Sequence, residues 1–217
     1  MDDPGGRFRD LTLDEFGARL SSDAPAPGGG AASAIAASLG ADLVAMVAAL
    51  SVDRPKYAPY ADYLARHGAG ARALGSGLLD LADEDARVYA AFSRALKLPR
   101  ETDEEKTARS AAIRAAARDA ADVPLLILEA CREVVVGSEA LAGRSNLNAA
   151  SDLAVASRLA EAAAHGAAEN VLVKLPAIAD PAVADELSAR VARLVAEVED
   201  LAETTRAHVE HGELREP

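Results

Sequence analysis

A proline- and glycine-rich segment followed directly by a long apolar run most constrains how this chain can fold. Pro25 and Pro27 favour an extended entry, and residues 28–30 are three glycines without Cβ atoms. Residues 31–50 are nearly all apolar, with Asp42 as their one charged side chain. This run predicts a helix about 30 Å long. Its glycine-built N-terminus can bind an anion or a polar ring, or the glycines can simply let two helices pack closely.

The composition predicts an all-α, multi-helix bundle with long helices. Half of the 217 residues are hydrophobic but only 3% are aromatic, so alanine, leucine and valine must build the core. Alanine-rich packing favours helices, and no segment shows the period of a strand. We expect a flexible N-terminus over residues 1–10, one helical domain over 11–210, and a frayed tail over 211–217.

Charge and cysteine content exclude several classes of protein. The formal net charge of −12 argues against a nucleic-acid surface. The single cysteine, Cys131, cannot form an internal disulfide and fits a reducing, cytoplasmic location. The apolar run is long enough to span a membrane, but its alanines, its serines and Asp42 favour a buried helix in a soluble protein. No metal-ligand spacing is present.

Helical periodicity and capping patterns place the helices. Thr12 and Thr102 each stand three residues before a glutamate, which is the capping-box pattern, and Asp180 precedes a proline at the start of the last helix. Ser151 is the expected N-cap of the helix before it. The predicted helices cover approximately residues 12–22, 31–52, 56–96, 103–136, 151–175 and 181–210. The fourth contains a proline that should kink it.

Asp85 interrupts an apolar helix face. Positions 74, 78, 81, 85, 88 and 92 alternate by three and four, and all but Asp85 are apolar. A buried carboxylate is costly unless it is paired, and burial raises its pKa toward values that suit a general acid or base. The alternative is a structural ion pair with an arginine of another helix. Arg109, on a mostly alanine face, is a candidate for that partner.

A second polar group stands at the start of the fifth predicted helix. Asn148, Ser151 and Asp152 are adjacent there, and they can serve a site or simply cap the helix. Asn170 and Lys174 share a helix face with Asp152 but follow it much later. Because Asp152 and Asn170 are about 27 Å apart along the helix, they cannot both touch one reacting atom of one subunit.

Several short motifs, in a fixed order, carry a resemblance to a known family. They are Phe16, Pro27-Gly-Gly-Gly-Ala-Ala, Met46-Val-Ala-Ala-Leu-Ser, Asp85-Ala-Arg-Val-Tyr, Leu98-Pro, Arg109, Val123-Pro and Asn146-Leu-Asn-Ala-Ala-Ser-Asp152. The set, over roughly residues 11–180, resembles the formimidoyltetrahydrofolate cyclodeaminase and methenyltetrahydrofolate cyclohydrolase family. The resemblance implies an all-α homodimer that acts on one-carbon derivatives of tetrahydrofolate without a metal or redox cofactor.

The resemblance also implies roles for particular residues. Ring closure with loss of ammonia, or hydrolytic ring opening, needs an acid and a base beside a positively charged carbon, and Asp85 or Asp152 could fill these roles. The glycine backbone would let the flat pterin ring approach the helix. The glutamate tail of the folate would be bound by a cation, for which the candidates are Lys56, Arg109, Arg144 and Lys174. The implied substrate-binding residues are Gly28, Gly29, Gly30, Lys56, Arg109, Asn148, Ser151, Asn170 and Lys174.

The sequence departs from the family pattern at the presumed pocket. Ala31 stands where a serine is usual, Lys174 where an asparagine is common, and Lys56 ends a shortened lysine-rich segment. The alternative hypothesis is therefore a non-catalytic helical module that binds folate or another subunit. A coiled-coil structural protein is a third alternative. The sequence does not choose between deamination and hydrolysis.

Overall fold

A computed structural model describes residues 6–217, which contain six α-helices and no strand. The N-terminal residues 1–5, part of the segment predicted to be flexible, lie outside the described residues. The helices are α1 (Leu13–Leu20), α2 (Gly29–Ala49), α3 (Ala61–Leu96), α4 (Asp103–Leu141), α5 (Ala150–Leu172) and α6 (Pro181–His211). The prediction of an all-α bundle with long helices is confirmed.

Helix α2 lies at the centre of the bundle. It packs against α3, α4 and α5, while α6 covers the outer side of α4 and α5. The 18-residue window of α2 with the highest hydropathy is 56% buried, so its apolar character matches that of a core helix. It is nevertheless the one helix of residues 6–217 that is long and apolar enough to cross a membrane.

Small residues let the neighbouring backbones approach α2. A Cβ atom added at Gly68 of α3 would lie 2.8 Å from the Ala48 Cβ atom. One added at Gly40 of α2 would lie 3.0 Å from the carbonyl oxygen of Ala156 in α5. Real Cβ atoms rarely come this close to another heavy atom, so these helix contacts require glycine.

The predicted caps are present. The Thr12 and Thr102 hydroxyls each accept a hydrogen bond from the backbone of the glutamate three residues on, and both capping boxes are complete. The Asp180 side chain accepts bonds from the backbone N–H groups of Ala182 and Val183. These local signals therefore determined where α1, α4 and α6 begin.

Several helix boundaries differ from the prediction, and α5, for example, ends at Leu172 rather than near residue 175. Helix α3 begins at Ala61 rather than near residue 56, because Pro55–Tyr60 forms a separate 3-10 helix. Helix α4 continues through Pro124 to Leu141, and Gly137 lies inside it, where an added Cβ would be 3.3 Å from a Val44 methyl group. That glycine allows contact with α2 and does not end the helix. Ser151 is not an N-cap, because α5 begins one residue earlier.

Segments near both ends of the described chain make long-range hydrogen bonds to the bundle. In the N-terminal segment, the Phe8 N–H donates to the Asp83 carboxylate at 2.7 Å. In the tail, the Arg215 guanidinium donates to the Glu139 carboxylate at 2.7 Å, and its backbone N–H donates to the Gly143 carbonyl at 2.8 Å. These bonds are long-range and were not visible in the local sequence, and the fraying expected for residues 211–217 stays a prediction.

Two glycine substitutions on α3 test the close packing against α2. Gly68→Ala should destabilise the protein by about 1–2 kcal/mol, because its methyl group would overlap Ala48. Gly70→Ala, at an exposed position with no atom within 4 Å, should stabilise it by about 0.5–1 kcal/mol through helix propensity. Urea unfolding would measure both. Equal effects of the two substitutions would contradict the proposed close approach.

Candidate active site

A cavity of about 220 Å³ opens at the N-terminal end of α2. The loop before α2 forms one wall, and α3, α4 and the C-terminal part of α5 form the others. Its lining residues are Pro25, Ala26, Gly28, Gly29, Gly30, Asp85, Ala86, Val88, Tyr89, Ala120, Asn170 and Lys174. The fold therefore places four polar side chains beside the glycines at the N-terminus of α2. They are the carboxyl of Asp85, the amine of Lys174, the amide of Asn170 and the phenol of Tyr89.

Asp85 of α3 points its carboxylate at this helix end. The residue is only 8% exposed, and a Cβ atom added at Gly30 would collide with the carboxylate group. The backbone of Ala31, whose N–H group belongs to the first turn of α2, hydrogen-bonds to Asp85. The glycines thus admit a carboxylate to a helix N-terminus, where free N–H groups and the helix dipole favour negative charge.

Burial shifts the protonation of both charged groups in the cavity. It raises the pKa of Asp85, and the opposing effects of the Lys174 ammonium and the Ala31 backbone do not cancel this rise. Burial also lowers the pKa of Lys174, which is 7% exposed, although the Asp85 carboxylate acts in the opposite direction. Each group is therefore closer to exchanging a proton near neutral pH than an exposed aspartate or lysine is.

Tyr89 and Asn170 complete the walls of the cavity. The Lys174 Nζ atom lies 5.6 Å from the centre of the Tyr89 ring, a cation–π distance. The Asn170 amide donates to the Gly166 carbonyl at 2.9 Å, and it lies 3.4 Å from where Gly29 would carry a Cβ. Glycine at position 29 therefore leaves room for the amide beside the α2 backbone.

The structure brings together only part of the predicted site. Gly28, Gly29, Gly30, Asp85, Asn170 and Lys174 all line the cavity. Asn148, Ser151 and Asp152 lie at the opposite end of α5, about 27 Å from Asn170 along the helix axis. Roles for these three residues stay predictions, and within one chain they do not contact this cavity.

Three predicted cations lie elsewhere. Arg109 does not pair with Asp85, because its guanidinium donates to the Leu96 carbonyl at 3.1 Å, near the turn between α3 and α4. Lys56 is exposed in the 3-10 helix after α2, where its Nζ atom is 5.7 Å from the Tyr57 ring. The guanidinium of Arg144 lies over the Tyr63 ring. The ion pair proposed for Asp85 and Arg109 is therefore wrong.

Tyr89 is a cavity residue that the prediction of site residues omitted. It follows Asp85 by four positions on α3, so the two side chains lie on the same helix face, one turn apart. That spacing was readable from the sequence once Asp85 had been singled out. Ala120 of α4 had no such signal, because nothing local indicates which alanine lines a cavity.

The fold and the cavity define an all-α domain with a carboxylate and an amine buried at a glycine-built helix end. The chain belongs to the formiminotransferase-cyclodeaminase family, whose sequence model matches residues 12–193. This confirms the resemblance drawn from the motifs.

Known relatives agree with this assignment. The chain is 38% identical over 202 residues to a methenyltetrahydrofolate cyclohydrolase of Methylorubrum extorquens, covering 91% of this chain and 97% of that protein. It is 32% identical to the mouse formimidoyltransferase-cyclodeaminase over 89% of this chain, but spans only 36% of the mouse protein. The crystal structure of a Thermotoga maritima formiminotetrahydrofolate cyclodeaminase has the same fold, with a TM-score of 0.84 at 24% identity, covering 94% of this chain and 98% of that one.

The raised pKa of Asp85 predicts a measurable pH dependence of stability. Because the folded protein disfavours the ionised carboxyl, Asp85→Asn should unfold at a higher temperature than the wild type at pH 7–8. The difference should shrink as the pH falls through the raised pKa toward the ordinary value of 3.8, since the wild-type carboxyl then becomes neutral. Thermal unfolding between pH 4 and pH 8 measures this. A less stable variant at pH 8 would contradict it.

Proposed function

We propose that this protein is a folate one-carbon enzyme that hydrolyses 5,10-methenyltetrahydrofolate to 10-formyltetrahydrofolate. The observation that carries the proposal is the buried Asp85 carboxylate, with its raised pKa, at the cavity at the N-terminus of α2. The Methylorubrum extorquens cyclohydrolase, similar over nearly the whole of both chains, supports the choice of substrate.

The reaction adds water to one carbon and breaks one C–N bond. The oxygen of water bonds to the cationic carbon that bridges N5 and N10, and Asp85 takes a proton from that water as a general base. The bond from carbon to N5 then breaks, N5 keeps the electron pair and gains a proton, and the carbon becomes a formyl group on N10. One water is consumed and one proton is released, with no change of oxidation state.

The other cavity residues have roles consistent with this chemistry. The Asp85 carboxylate stabilises the positive bridging carbon before water attacks. Lys174 can donate a hydrogen bond to the oxygen as the formyl group develops. The Tyr89 ring offers an apolar face to a flat heterocycle, and the bare backbone of Gly28 and Gly29 lets that heterocycle approach the helix end.

A cyclodeaminase reaction is the second candidate. In it, N10 of 5-formimidoyltetrahydrofolate bonds to the formimidoyl carbon and loses its proton, which passes to the imino nitrogen. The bond from carbon to that nitrogen then breaks, and a protonated carboxyl supplies the second proton with which ammonia leaves. The mouse and Thermotoga maritima relatives carry this activity in their names. The raised pKa of Asp85 is equally compatible with this reaction, because a protonated Asp85 can act as the acid. A non-catalytic folate-binding module is the remaining alternative.

An exposed apolar stripe on α2 supports the proposal of a homodimer. Leu39, Leu43, Met46 and Leu50 recur at helical spacing on one face, and Leu39 is 51% exposed although α2 is the core helix. A second copy of this chain, placing the same stripe against it, would cover these side chains about a two-fold axis. We also propose a cytoplasmic location, which the single cysteine supports. We propose no redox cofactor, since neither reaction transfers electrons, and no metal, as the family resemblance implies.

Substitution of Asp85 tests the catalytic proposal. Asp85→Asn should lower the turnover of 5,10-methenyltetrahydrofolate about 10²-fold, because the amide cannot take the proton of water. The loss of near-ultraviolet absorption on ring opening, above the rate in buffer, measures this. Assaying ammonia release from 5-formimidoyltetrahydrofolate with the same samples distinguishes the two candidate reactions.

Two further variants sharpen that experiment. Asp62→Asn, an exposed aspartate in the first turn of α3, should keep the wild-type rate. Asp152→Asn tests the prediction made from the family resemblance, and a loss equal to that of Asp85→Asn would mean that another subunit contributes Asp152. Wild-type protein that binds the folate without accelerating either reaction would favour the non-catalytic module.

The dimer is tested by placing charge on the α2 stripe. Leu39→Glu should convert a wild-type dimer to a monomer in sedimentation equilibrium, because a carboxylate would be buried between the copies. Leu13→Glu provides the control, since Leu13 is 83% exposed on α1 and away from the stripe. A monomeric wild type, or a Leu39→Glu variant that stays dimeric, would reject this interface.

A further inference from the structure

The cavity at the α2 N-terminus is too small for an entire folate. Its volume is about 220 Å³, whereas pockets that enclose a drug-sized ligand measure about 300–1,000 Å³. It can hold the reacting ring system beside Asp85. The arylamide and glutamate part of the proposed substrate must therefore leave the cavity along a neighbouring surface.

A second depression continues from the cavity. It measures about 360 Å³ and lies between the C-terminal part of α3 and the facing part of α4. Val88 lines both the cavity and this groove, and Ala116 in the groove is one helical turn from Ala120 in the cavity. A molecule that extends past Val88 would therefore turn around the side of α3 that faces α4 as it leaves the cavity and enters the groove.

The groove has an apolar floor and a charged rim. Ala91, Ala112, Ala115 and Leu98 present methyl and isobutyl groups, which suit the face of an aromatic ring. Three charged residues, Arg87, Arg94 and Asp119, also line it. This combination fits a ligand that is aromatic near the cavity and anionic further out.

The two arginines differ in their availability. Arg87 forms an ion pair with Glu84, and the carboxylate of Asp119 also raises the pKa of Arg87. Arg94 is exposed and makes no ion pair or side-chain hydrogen bond among residues 6–217. Arg94 is therefore the cation of the groove that is free to bind an anionic ligand.

We propose that the groove between α3 and α4 binds the aminobenzoyl-glutamate end of the substrate, with Arg94 as the residue that recognises its carboxylates. This inference rests on the proposed function, because it assigns the part of the folate that the cavity cannot hold. Arg94 follows Asp85 by nine residues, which places it about 13 Å further along α3 and half a turn around that helix, so the ligand would reach Arg94 by passing over Val88.

The proposal replaces cations that the sequence had suggested for the tail. Arg109 is bonded to a backbone carbonyl, and Lys56 and Arg144 lie in parts of the chain that do not line either depression. The protein has a net charge of −12, so recognition of an anionic tail depends on a locally placed cation such as Arg94. Binding of the tail should consequently weaken as salt screens this single attraction.

A pair of substrates isolates the effect of Arg94. One is 5,10-methenyltetrahydrofolate and the other is the corresponding tetrahydropteroate, which has the aminobenzoyl group but no glutamate. Arg94→Ala should raise the KM for the folate about fivefold, the value of one exposed ion pair, and leave kcat within about twofold. Arg94→Glu should raise that KM about tenfold or more, because it adds repulsion. Neither variant should change the KM for the pteroate by more than twofold.

Arg72→Ala is the matched control, since Arg72 is an exposed arginine of the same helix and lines neither depression. It should match the wild type with both substrates. If Arg94 variants behave like Arg72→Ala while the wild type turns over the folate, the groove assignment is wrong and the proposed function stands. If the wild type turns over neither substrate, the proposed function is wrong and the groove loses its basis with it.

Discussion

The fold depends on how closely three helices approach the backbone of α2. Glycines at the crossings, such as Gly68 in α3, Gly40 in α2 and Gly137 in α4, bring the helices within a distance that a methyl group would block or crowd. Such close approach suits a core of alanine and valine, because side chains this small fill the space between two helices only when the helices lie close together. Because only 3% of the residues are aromatic, the interior is filled by bringing the helices close together rather than by large side chains.

The close approach of other helices to α2 also creates the site. At the N-terminal end of α2 the glycines face polar side chains rather than the backbone of another helix, and the carboxylate of Asp85 occupies the space against Gly30. The protein thus buries a charge where packing alone would favour a methyl group. A raised pKa for Asp85 and a lowered pKa for Lys174 are the electrostatic results of that burial, and they are the properties that acid–base chemistry uses.

Local signals in the sequence predicted most of the fold and about half of the site. Capping signals located the starts of α1, α4 and α6, and the interrupted apolar face identified Asp85. Tertiary contacts decided what local signals could not. In the sequence Gly137 indicates the end of a helix, whereas in the structure it lies inside α4 and allows α2 to pack closely against that helix. Likewise Arg109 has the spacing of a partner for Asp85, but the turn between α3 and α4 directs it to the Leu96 carbonyl.

The C-terminal tail is anchored at one end of the bundle, and the cavity lies toward the other end. Arg215 is fixed to Glu139, Gly143 and the Tyr60 hydroxyl, beside the start of α3 and the end of α4. Asp85 and Ala120 lie far along those two helices, roughly 30 Å or more from these anchors. An affinity tag, a surface linker or a fused protein attached after Pro217 would therefore sit at the pole remote from the cavity mouth.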